Sequence, residues 1–223
     1  MSNNTTDEIE KQRRYYAETA NLYDAMHVNE QDEHFFALSF LVAALDYLQV
    51  QSILDIGSGT GRAIFYIKKR RPELRVVGIE PIKELREVGY SHGLSEEDLV
   101  DGDATKLQFR AQEFDLVCEF AVLHHIRSPE LAVSEMLRVA DKAIFISDSN
   151  NFGQGSRTSR SIKQMINFFG LWKIADIIKT IGKGFMISEG DGLAYSYSVF
   201  NTDFHRIFKR HFSYGVQIIL RGL

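Results

Sequence analysis

Short apolar runs that alternate with helix-forming stretches constrain the fold of this chain more than any other feature. Each run is three to five residues long, is mainly hydrophobic, and is followed by a turn and a helical pattern. Strands buried on both faces have this composition, and strand–helix–strand repeats place them in a parallel sheet between helices. Five runs follow the pattern: Ser52–Ile56, Arg75–Ile79, Asp98–Val100, Phe114–Cys118 and Ala143–Ser147.

The segments on either side of these runs follow other patterns. Residues 1–8 are predicted to be disordered, and helices are predicted for Glu10–Val28 and His34–Leu48. Residues Ser156–Ile181 are predicted to form one long amphipathic helix, or two helices broken near Gly170. Shorter strands are predicted after it, over Phe185–Ile187, Tyr195–Phe200 and Tyr214–Leu220. We expect one domain of 223 residues, with a helical cap (1–50), a core (51–148) and elements closing the substrate side (149–223).

The composition favours a reducing compartment. Cys118 is the single cysteine, so a disulfide within the chain is excluded. The polar N-terminal stretch Met1–Arg14 has no apolar segment, and no run reaches about 18 apolar residues. A cytoplasmic protein without a membrane span is therefore expected.

Charge is unevenly distributed along the chain. Residues 1–150 carry 16 basic and 26 acidic residues, whereas residues 151–223 carry 10 basic and 4 acidic residues. Such an asymmetry is typical either of a solvated basic face on surface helices or of a site for an anionic partner. The sequence leaves both interpretations open.

A glycine-rich turn follows the first run. It reads Asp55-Ile-Gly57-Ser58-Gly59-Thr-Gly61, and glycines at this spacing permit a tight turn and a close approach of a ligand to the backbone. A dinucleotide fingerprint needs Gly or Ala where this chain has Arg62, and a P-loop needs Gly-Lys-Ser/Thr. Both nucleotide motifs are therefore disfavoured.

The turn resembles the first motif of the class I, Rossmann-like S-adenosylmethionine-dependent methyltransferases, Asp/Glu-x-Gly-x-Gly-x-Gly. Residues 55–61 match this motif at all four fixed positions. The resemblance implies an α/β fold with a mostly parallel seven-stranded sheet, a helical cap at the N-terminus and a helical insertion after strand five. It also implies S-adenosylmethionine as cofactor and S-adenosylhomocysteine as product. In the family this loop wraps the methionine and ribose portions, and Asp55 helps to hold the amino-acid end.

Further positions agree with the family's motifs in order. Glu80 ends the second run, where a carboxylate can accept both ribose hydroxyl protons. The resemblance implies that Asp103 receives the adenine amino group and that the Ala104 amide meets the ring. Glu119 and Phe120, after the fourth run, are implied to lie beside the methionine portion. The predicted cofactor-binding set is Tyr16, Asp55, Gly57, Ser58, Gly59, Gly61, Glu80, Pro81, Asp103, Ala104, Glu119 and Phe120.

Within that set, Tyr16 comes from the Arg14-Tyr15-Tyr16 segment, which resembles the cap helix of many small-molecule members. There a tyrosine touches the cofactor carboxylate or closes the pocket; simple packing is the alternative.

Catalytic candidates follow the fourth and fifth runs. Methyl transfer is an in-line displacement that depends on alignment and exclusion of water, and a hydroxyl acceptor also benefits from a general base. His124 and His125 follow the fourth run, and Asp148 ends the fifth. We expect His125 to act as the base with Asp148 orienting or charging its imidazole; a positioning role for either histidine, His124 or His125, is the alternative.

A metal site and macromolecular acceptors are disfavoured. Glu119, Asp148 and Asn150 have a spacing unlike that of the catechol-type enzymes, so no metal is predicted. The DNA-modifying Asp/Asn-Pro-Pro-aromatic motif and the double-glutamate loop of the protein-arginine enzymes are missing, and no basic stripe with stacking aromatics indicates nucleic acid. A small-molecule acceptor remains, with Tyr15, Tyr16, Tyr195 and Tyr197 as its expected lining.

We therefore expect O-methylation of a small polar metabolite, either a sugar unit or a specialised metabolite. N- or C-methylation of a small molecule and a non-catalytic cofactor-binding partner are the alternatives. An anionic, phosphorylated or nucleotide-linked acceptor is suggested by a set of basic residues, and a homodimer is left open. That set is Arg157, Arg160, Lys163, Lys173, Lys179 and Lys183.

Overall fold

The predicted apolar runs form one sheet in the computed structural model of the chain, which describes residues 2–28, 33–148, 156–188, 192–195 and 216–220. The strands in these ranges are β1 (Ser52–Ile56), β2 (Arg75–Ile79), β3 (Leu99–Val100), β4 (Phe114–Phe120), β5 (Ala140–Ser147), β6 (Phe185–Ser188), β7 (Gly192–Tyr195) and β8 (Val216–Leu220). The strand order of the sheet is β3-β2-β1-β4-β5-β8, and every strand in it is parallel to its neighbour except β8, which runs antiparallel to β5.

The predicted class of sheet is confirmed, and its strand number differs. Within the described residues the sheet has six strands, not seven, five of them parallel. The strand order reverses between β1 and β4, and a crevice for ligands forms beyond the carboxyl ends of the strands at such a reversal.

Eight helices surround the sheet within the described residues. They are α1 (Ser2–Thr19), α2 (Tyr23–His27), α3 (Glu33–Ala44), α4 (Arg62–Arg70), α5 (Lys83–Ser91), α6 (Pro129–Val139), α7 (Arg157–Phe168) and α8 (Trp172–Thr180). Short 3₁₀ turns cover Ala20–Leu22 and Leu123–His125.

Alternating side chains of the strands build two separate hydrophobic layers. In β1, Ile53 packs in a cluster with residues of α3 and α4, whereas Leu54 packs in a cluster with residues of α6. In β5, Phe145 joins the first cluster and Ile144 the second. Each fully buried side chain of this kind contributes about 1.5–3 kcal/mol of burial free energy, so both faces of the sheet are strongly covered.

The prediction of a disordered start is wrong, because α1 begins at Ser2. The reason lies far along the chain. Glu8 is buried, its carboxylate accepts from Arg127 at 2.9 Å, and it also accepts from the Tyr195 hydroxyl at 2.8 Å. A local pattern of polar residues does not reveal partners more than a hundred residues away.

The C-terminal third contains the predicted helix pair and a hairpin. The pair breaks at Gly170, which has a φ of 71°. Strands β6 and β7 pair antiparallel, and β7 packs against α1 and the Leu123–His125 turn. Of the predicted strand over 195–200, Tyr195 belongs to β7, and residues 196–200 lie outside the described residues. No helix in the described ranges is long and apolar enough to cross a membrane.

Candidate functional site

A cavity of about 530 Å³ opens where β1, β2 and β4 end. Its floor is formed by residues that directly follow these strands, including Gly57, Glu80 and Ala121. The cap forms the opposite wall through residues of α1 and α2. The predicted residues among its lining are Tyr16, Gly57, Glu80, Pro81, Asp103, Ala104, Phe120, His124 and His125.

The glycine turn and Glu80 form one hydrogen-bonded unit. The Gly59 N–H donates to one carboxylate oxygen of Glu80 at 3.0 Å, and the Ile82 N–H donates to the other at 2.9 Å. Burial nevertheless raises the pKa of Glu80 from 4.5 to about 7, since it outweighs these two bonds. A carboxylate is thus fixed on the cavity floor, where it can accept from a ligand's hydroxyl groups.

The turn has no room for side chains. Gly59 has a φ of 57°, and a Cβ built there would lie 2.8 Å from the Tyr23 hydroxyl oxygen. A Cβ at Gly57 would lie 2.5 Å from a methyl carbon of Val122. Glycine is required at both positions by backbone conformation and by close neighbours. Gly61, also at positive φ, is the N-cap of α4.

Asp55 and Ser58 lie beneath the turn, beside a smaller cavity of about 30 Å³. The Ser58 hydroxyl donates to the Asp55 carbonyl oxygen at 3.1 Å. The Asp55 carboxyl is buried, and burial raises its pKa from 3.8 to about 7. Neither residue is among those that line the larger cavity, so their local role is to support the turn.

Asp103 and Ala104 form the part of the cavity rim that follows β3. One carboxylate oxygen of Asp103 accepts from both the N–H and the hydroxyl of Thr105, at 2.8 and 2.7 Å. These bonds fix the side chain at the rim, where its carboxylate can accept from a donor on a ligand.

His125 is held by the cap and the hairpin together. Its Nδ1 lies 2.8 Å from the Leu193 carbonyl oxygen, and its Nε2 lies 3.0 Å from the Tyr16 hydroxyl. A carbonyl oxygen only accepts, so the Leu193 contact assigns the hydrogen to Nδ1 and leaves Nε2 to accept from Tyr16, although the side-chain nitrogen of Gln12 also lies 3.1 Å from Nδ1. Gln12 reinforces the arrangement, because its side-chain oxygen accepts from the Leu193 N–H.

Asp148 contacts the other histidine. Its carboxylate accepts from His124 Nδ1 at 2.5 Å and from the His124 backbone N–H at 2.9 Å. The predicted pairing of Asp148 with His125 is therefore wrong. The 3₁₀ turn points the two consecutive rings to different partners, although their centroids stay 3.9 Å apart.

Glu119 is fully buried behind the cavity and does not line it. The Val122 N–H donates to its Oε2 at 2.9 Å, whereas its Oε1 has no hydrogen-bond partner among the described residues. Burial, together with the charge of Asp148, raises the pKa of Glu119 well above its usual range. Its neighbour Phe120 does line the cavity.

The described part of the chain contains no group of three His, Cys, Asp or Glu residues that could hold a metal ion. Asn150, considered above as a ligand, lies outside it.

The aromatic lining differs from the prediction. Tyr16 lines the cavity. Tyr15 packs edge-on against the ring of Tyr16, with ring centroids 5.2 Å apart, and the Tyr195 hydroxyl donates to Glu8. Neither Tyr15 nor Tyr195 lines the cavity, and Tyr197 lies outside the described residues. The α1 side chains that do reach the cavity are Ile9, Gln12, Arg13 and Tyr16.

Sequence reasoning missed several of these lining residues. Positions 9, 12, 13 and 16 share one helical face, and this spacing was the available signal. His27 and Arg62 also line the cavity without having been singled out for the site, as does Tyr23, whose segment Tyr23-Asp24 shares the resemblance to the cap helix. Burial raises the pKa of the Tyr23 hydroxyl strongly, with the Glu80 charge as the next cause.

The described basic side chains of the C-terminal third do not line the cavity, and the side chain of Arg160 lies outside the described residues. The side chains of Arg157, Lys163, Lys173, Lys179 and Lys183 are described, and none is among the lining residues. They therefore give no support to an anionic acceptor in this cavity.

The sequence of this chain is similar to those of known methyltransferases. Residues 54–143 match a family model described as a methyltransferase domain. Norajmaline N-methyltransferase of Rauvolfia serpentina is 32% identical over 95 residues, which are 40% of this chain and 32% of that protein. Malonyl-[acyl-carrier protein] O-methyltransferase of Xylella fastidiosa is 31% identical over 112 residues, which are 47% of this chain and 36% of that protein. The chain thus spans about a third of the length of these curated relatives.

The likeness of fold extends over more of the chain. The solved structure of the plantazolicin methyltransferase BpumL, in complex with a pentazolic desmethylPZN analog and SAH, is similar with a TM-score of 0.50 and 18% identity. The match covers 83% of this chain and 81% of that one.

Proposed function

We propose that this chain is an S-adenosylmethionine-dependent methyltransferase that methylates a hydroxyl group of a small polar acceptor; the match of residues 54–143 to a methyltransferase domain supports this. A sugar unit or a specialised metabolite is the acceptor class we favour. The proposal rests most directly on one observation: the Tyr16 hydroxyl bonds His125 Nε2 at 3.0 Å on the wall of the cavity whose floor carries Glu80.

The residues present fit S-adenosylmethionine. The cavity volume of about 530 Å³ lies within the roughly 300–1,000 Å³ usual for ligand pockets. Glu80 would hold the ribose hydroxyls, and Asp103 with the Ala104 amide would hold the adenine. The bare backbone at Gly57 and Gly59, where no Cβ fits, would allow the methionine portion to approach closely.

The bound cofactor supplies an electrophilic methyl group. Tyr16 and His125 provide a route for the proton that the acceptor hydroxyl loses. Tyr16 takes this proton as its own hydroxyl hydrogen passes to His125 Nε2, and the Leu193 carbonyl holds the hydrogen already on Nδ1. A positioned base of this kind contributes about 10²–10⁴-fold to the rate.

His124 and Asp148 support the base from behind. Asp148 fixes the His124 ring through two bonds, and the His124 ring packs against His125. Asp148 therefore acts on His125 through His124. We assign His125 as base and His124 with Asp148 as positioning residues.

The three parts of the chain take different tasks in this proposal. Residues 51–148 hold the cofactor and the paired histidines, and residues 1–50 close the cavity through α1 and α2. From residues 149–223, the β6–β7 hairpin fixes His125 through the Leu193 backbone. All three parts thus act together as a single methyltransferase domain.

Transfer of label from methyl-labelled S-adenosylmethionine into a metabolite extract tests the proposal, with the products identified by mass spectrometry. We expect label in a methyl ether, and its loss with His125→Ala. Label on nitrogen or carbon would contradict the hydroxyl acceptor and favour the N- or C-methyltransferase alternative. Cofactor binding without any transfer across extracts would favour a non-catalytic binding partner.

A further inference from the structure

Helix α8 buries one stripe of side chains and presents a stripe of isoleucines to solvent. Trp172 and Thr180 are buried on the inner stripe. Ile174, Ile177, Ile178 and Ile181 are all exposed, up to 72% for Ile178 and 85% for Ile181. Their spacing of three and four residues places Ile174, Ile177 and Ile178 on one helical face, and Ile181 follows at the C-cap of α8.

The apolar surface continues onto the elements beside α8. Helix α7, which packs against α8, exposes Met165 and Phe168, the latter at 84%. Strand β6 exposes Met186 and Ile187. We call these exposed side chains of α7, α8 and β6 the isoleucine face. Several large apolar side chains exposed on neighbouring elements mark an interaction site more often than ordinary protein surface does.

Ile181 has a strained backbone conformation. Its φ is 53°, in the left-handed region that favours glycine and is unusual for a β-branched residue. Its side chain is exposed. An exposed isoleucine in this conformation is therefore not explained by packing within the described residues.

Basic side chains lie on or directly beside the same elements as this apolar surface. Arg157, Lys173, Lys179 and Lys183 are exposed, and the described residues include no salt-bridge partner for any of them. Burial lowers the pKa of Lys163. The charge of Lys179 lowers it further, because these two lysines of different helices lie near each other. Residues 157–188, which contain α7, α8 and β6, carry one acidic residue, Asp176.

We propose that the isoleucine face docks on the surface of an anionic phospholipid bilayer. An apolar helix face flanked by Lys and Arg is the arrangement that lies in a bilayer interface, with the apolar side chains among the acyl chains and the cations near the phosphates. The bilayer supplies both complements, an apolar interior and negative charge.

Charge argues against other occupants. A second copy would bring the same patch to a two-fold contact, so the lysines of both copies would repel each other. Residues 196–215 of this chain, which are rich in phenylalanine, carry three Lys or Arg and one Asp. They too lack the complementary charge.

Cosedimentation with vesicles tests the proposal. We expect the full chain to bind vesicles of phosphatidylcholine mixed with phosphatidylglycerol, to bind phosphatidylcholine alone far more weakly, and to be released by high salt. The combined Lys173→Gln, Lys179→Gln and Lys183→Gln variant should bind about a hundredfold more weakly, since each lysine near the surface contributes about fivefold. Lys69→Gln, an exposed lysine on α4, should bind as the wild type does.

Apolar variants separate docking from folding. Ile178→Ser should weaken vesicle binding at least about tenfold. Tyr47→Ser is the control and should not weaken it, because Tyr47 is 79% exposed but follows α3 and is not part of the isoleucine face. Ile181→Gly relieves the strained φ, so it should raise Tm by about 2 °C and yet weaken vesicle binding. A merely structural isoleucine would not give these opposite changes.

Three results would overturn the proposal. The first is a wild-type protein that stays in the supernatant with anionic vesicles. The second is equal binding by the triple lysine variant. The third is a dimer in analytical ultracentrifugation that Ile178→Ser dissociates while vesicles are not bound, which would assign the face to a second copy.

Discussion

The floor and the cap-side wall of the cavity are built in opposite ways. The floor comes from consecutive strand ends, and its main bond joins Gly59 to Glu80, 21 residues apart. The wall depends on His125, whose partners Tyr16 and Leu193 lie 109 and 68 residues away. The floor is therefore a property of the parallel sheet itself, whereas the wall exists only when three remote segments meet. Variants in the floor should affect cofactor binding, and variants in the wall should affect turnover.

The largest effect is expected from Gly59→Val in the floor. A valine there adopts an unfavourable φ and collides with Tyr23, and it displaces the N–H that anchors Glu80. Calorimetry should show no measurable binding of S-adenosylhomocysteine. Gly93→Val is the matched control, because Gly93 also has positive φ but a Cβ at that position would meet no atom within 4 Å; equal loss in both variants would point to general unfolding.

In the wall, His125→Ala should lower turnover about 10²–10⁴-fold, the usual loss for a general base. The affinity for S-adenosylhomocysteine should be nearly unchanged, since the floor is untouched. His124→Ala is the comparison: it removes the ring behind the base, so its loss should be smaller. Rates equal to the wild type in His125→Ala would favour catalysis by alignment alone and an amine or carbon acceptor.

Glu80→Ala should weaken binding of S-adenosylhomocysteine by roughly 1–3 kcal/mol, the scale of lost hydrogen bonds to a charged group. The pH dependence is sharper evidence. With a pKa of about 7, the Glu80 carboxyl is protonated in the free protein at lower pH, and hydroxyl donors favour its ionised form. Kd should therefore rise as the pH falls below 7, by up to about tenfold per pH unit. The profile of Glu80→Gln should be flat over this range; the same slope in both proteins would assign the titration to another group, such as Asp55.

The smallest effect is expected from Tyr195→Phe, which removes the hydroxyl that donates to Glu8 at 2.8 Å. The free energy of unfolding should fall by about 1 kcal/mol, because Glu8 keeps its bond to Arg127. Urea unfolding measures this change, and S-adenosylhomocysteine affinity should stay the same. A loss of cofactor affinity would show that floor and wall are coupled.

The same contrast explains what the sequence could predict. Buried strands such as Ser52–Ile56 were predicted to the residue, because a strand buried on both faces has a continuous apolar sequence. Glu80 and Asp103 could be placed in the cavity because parallel strands end at one edge of the sheet. The partner of Asp148 could not be predicted, since it depends on how a 3₁₀ turn directs two consecutive histidines. The start of α1 was missed because its stabilising partners are remote.

Titration calorimetry of the wild-type protein with S-adenosylhomocysteine tests the central claim most directly. The claim is that the cavity above Gly57 and Glu80 holds this cofactor rather than another nucleotide. We expect one molecule bound per chain with micromolar affinity or tighter, and no heat with NAD or ATP under the same conditions. Absence of binding to both S-adenosylhomocysteine and S-adenosylmethionine, or preferential binding of NAD or ATP, would contradict the account.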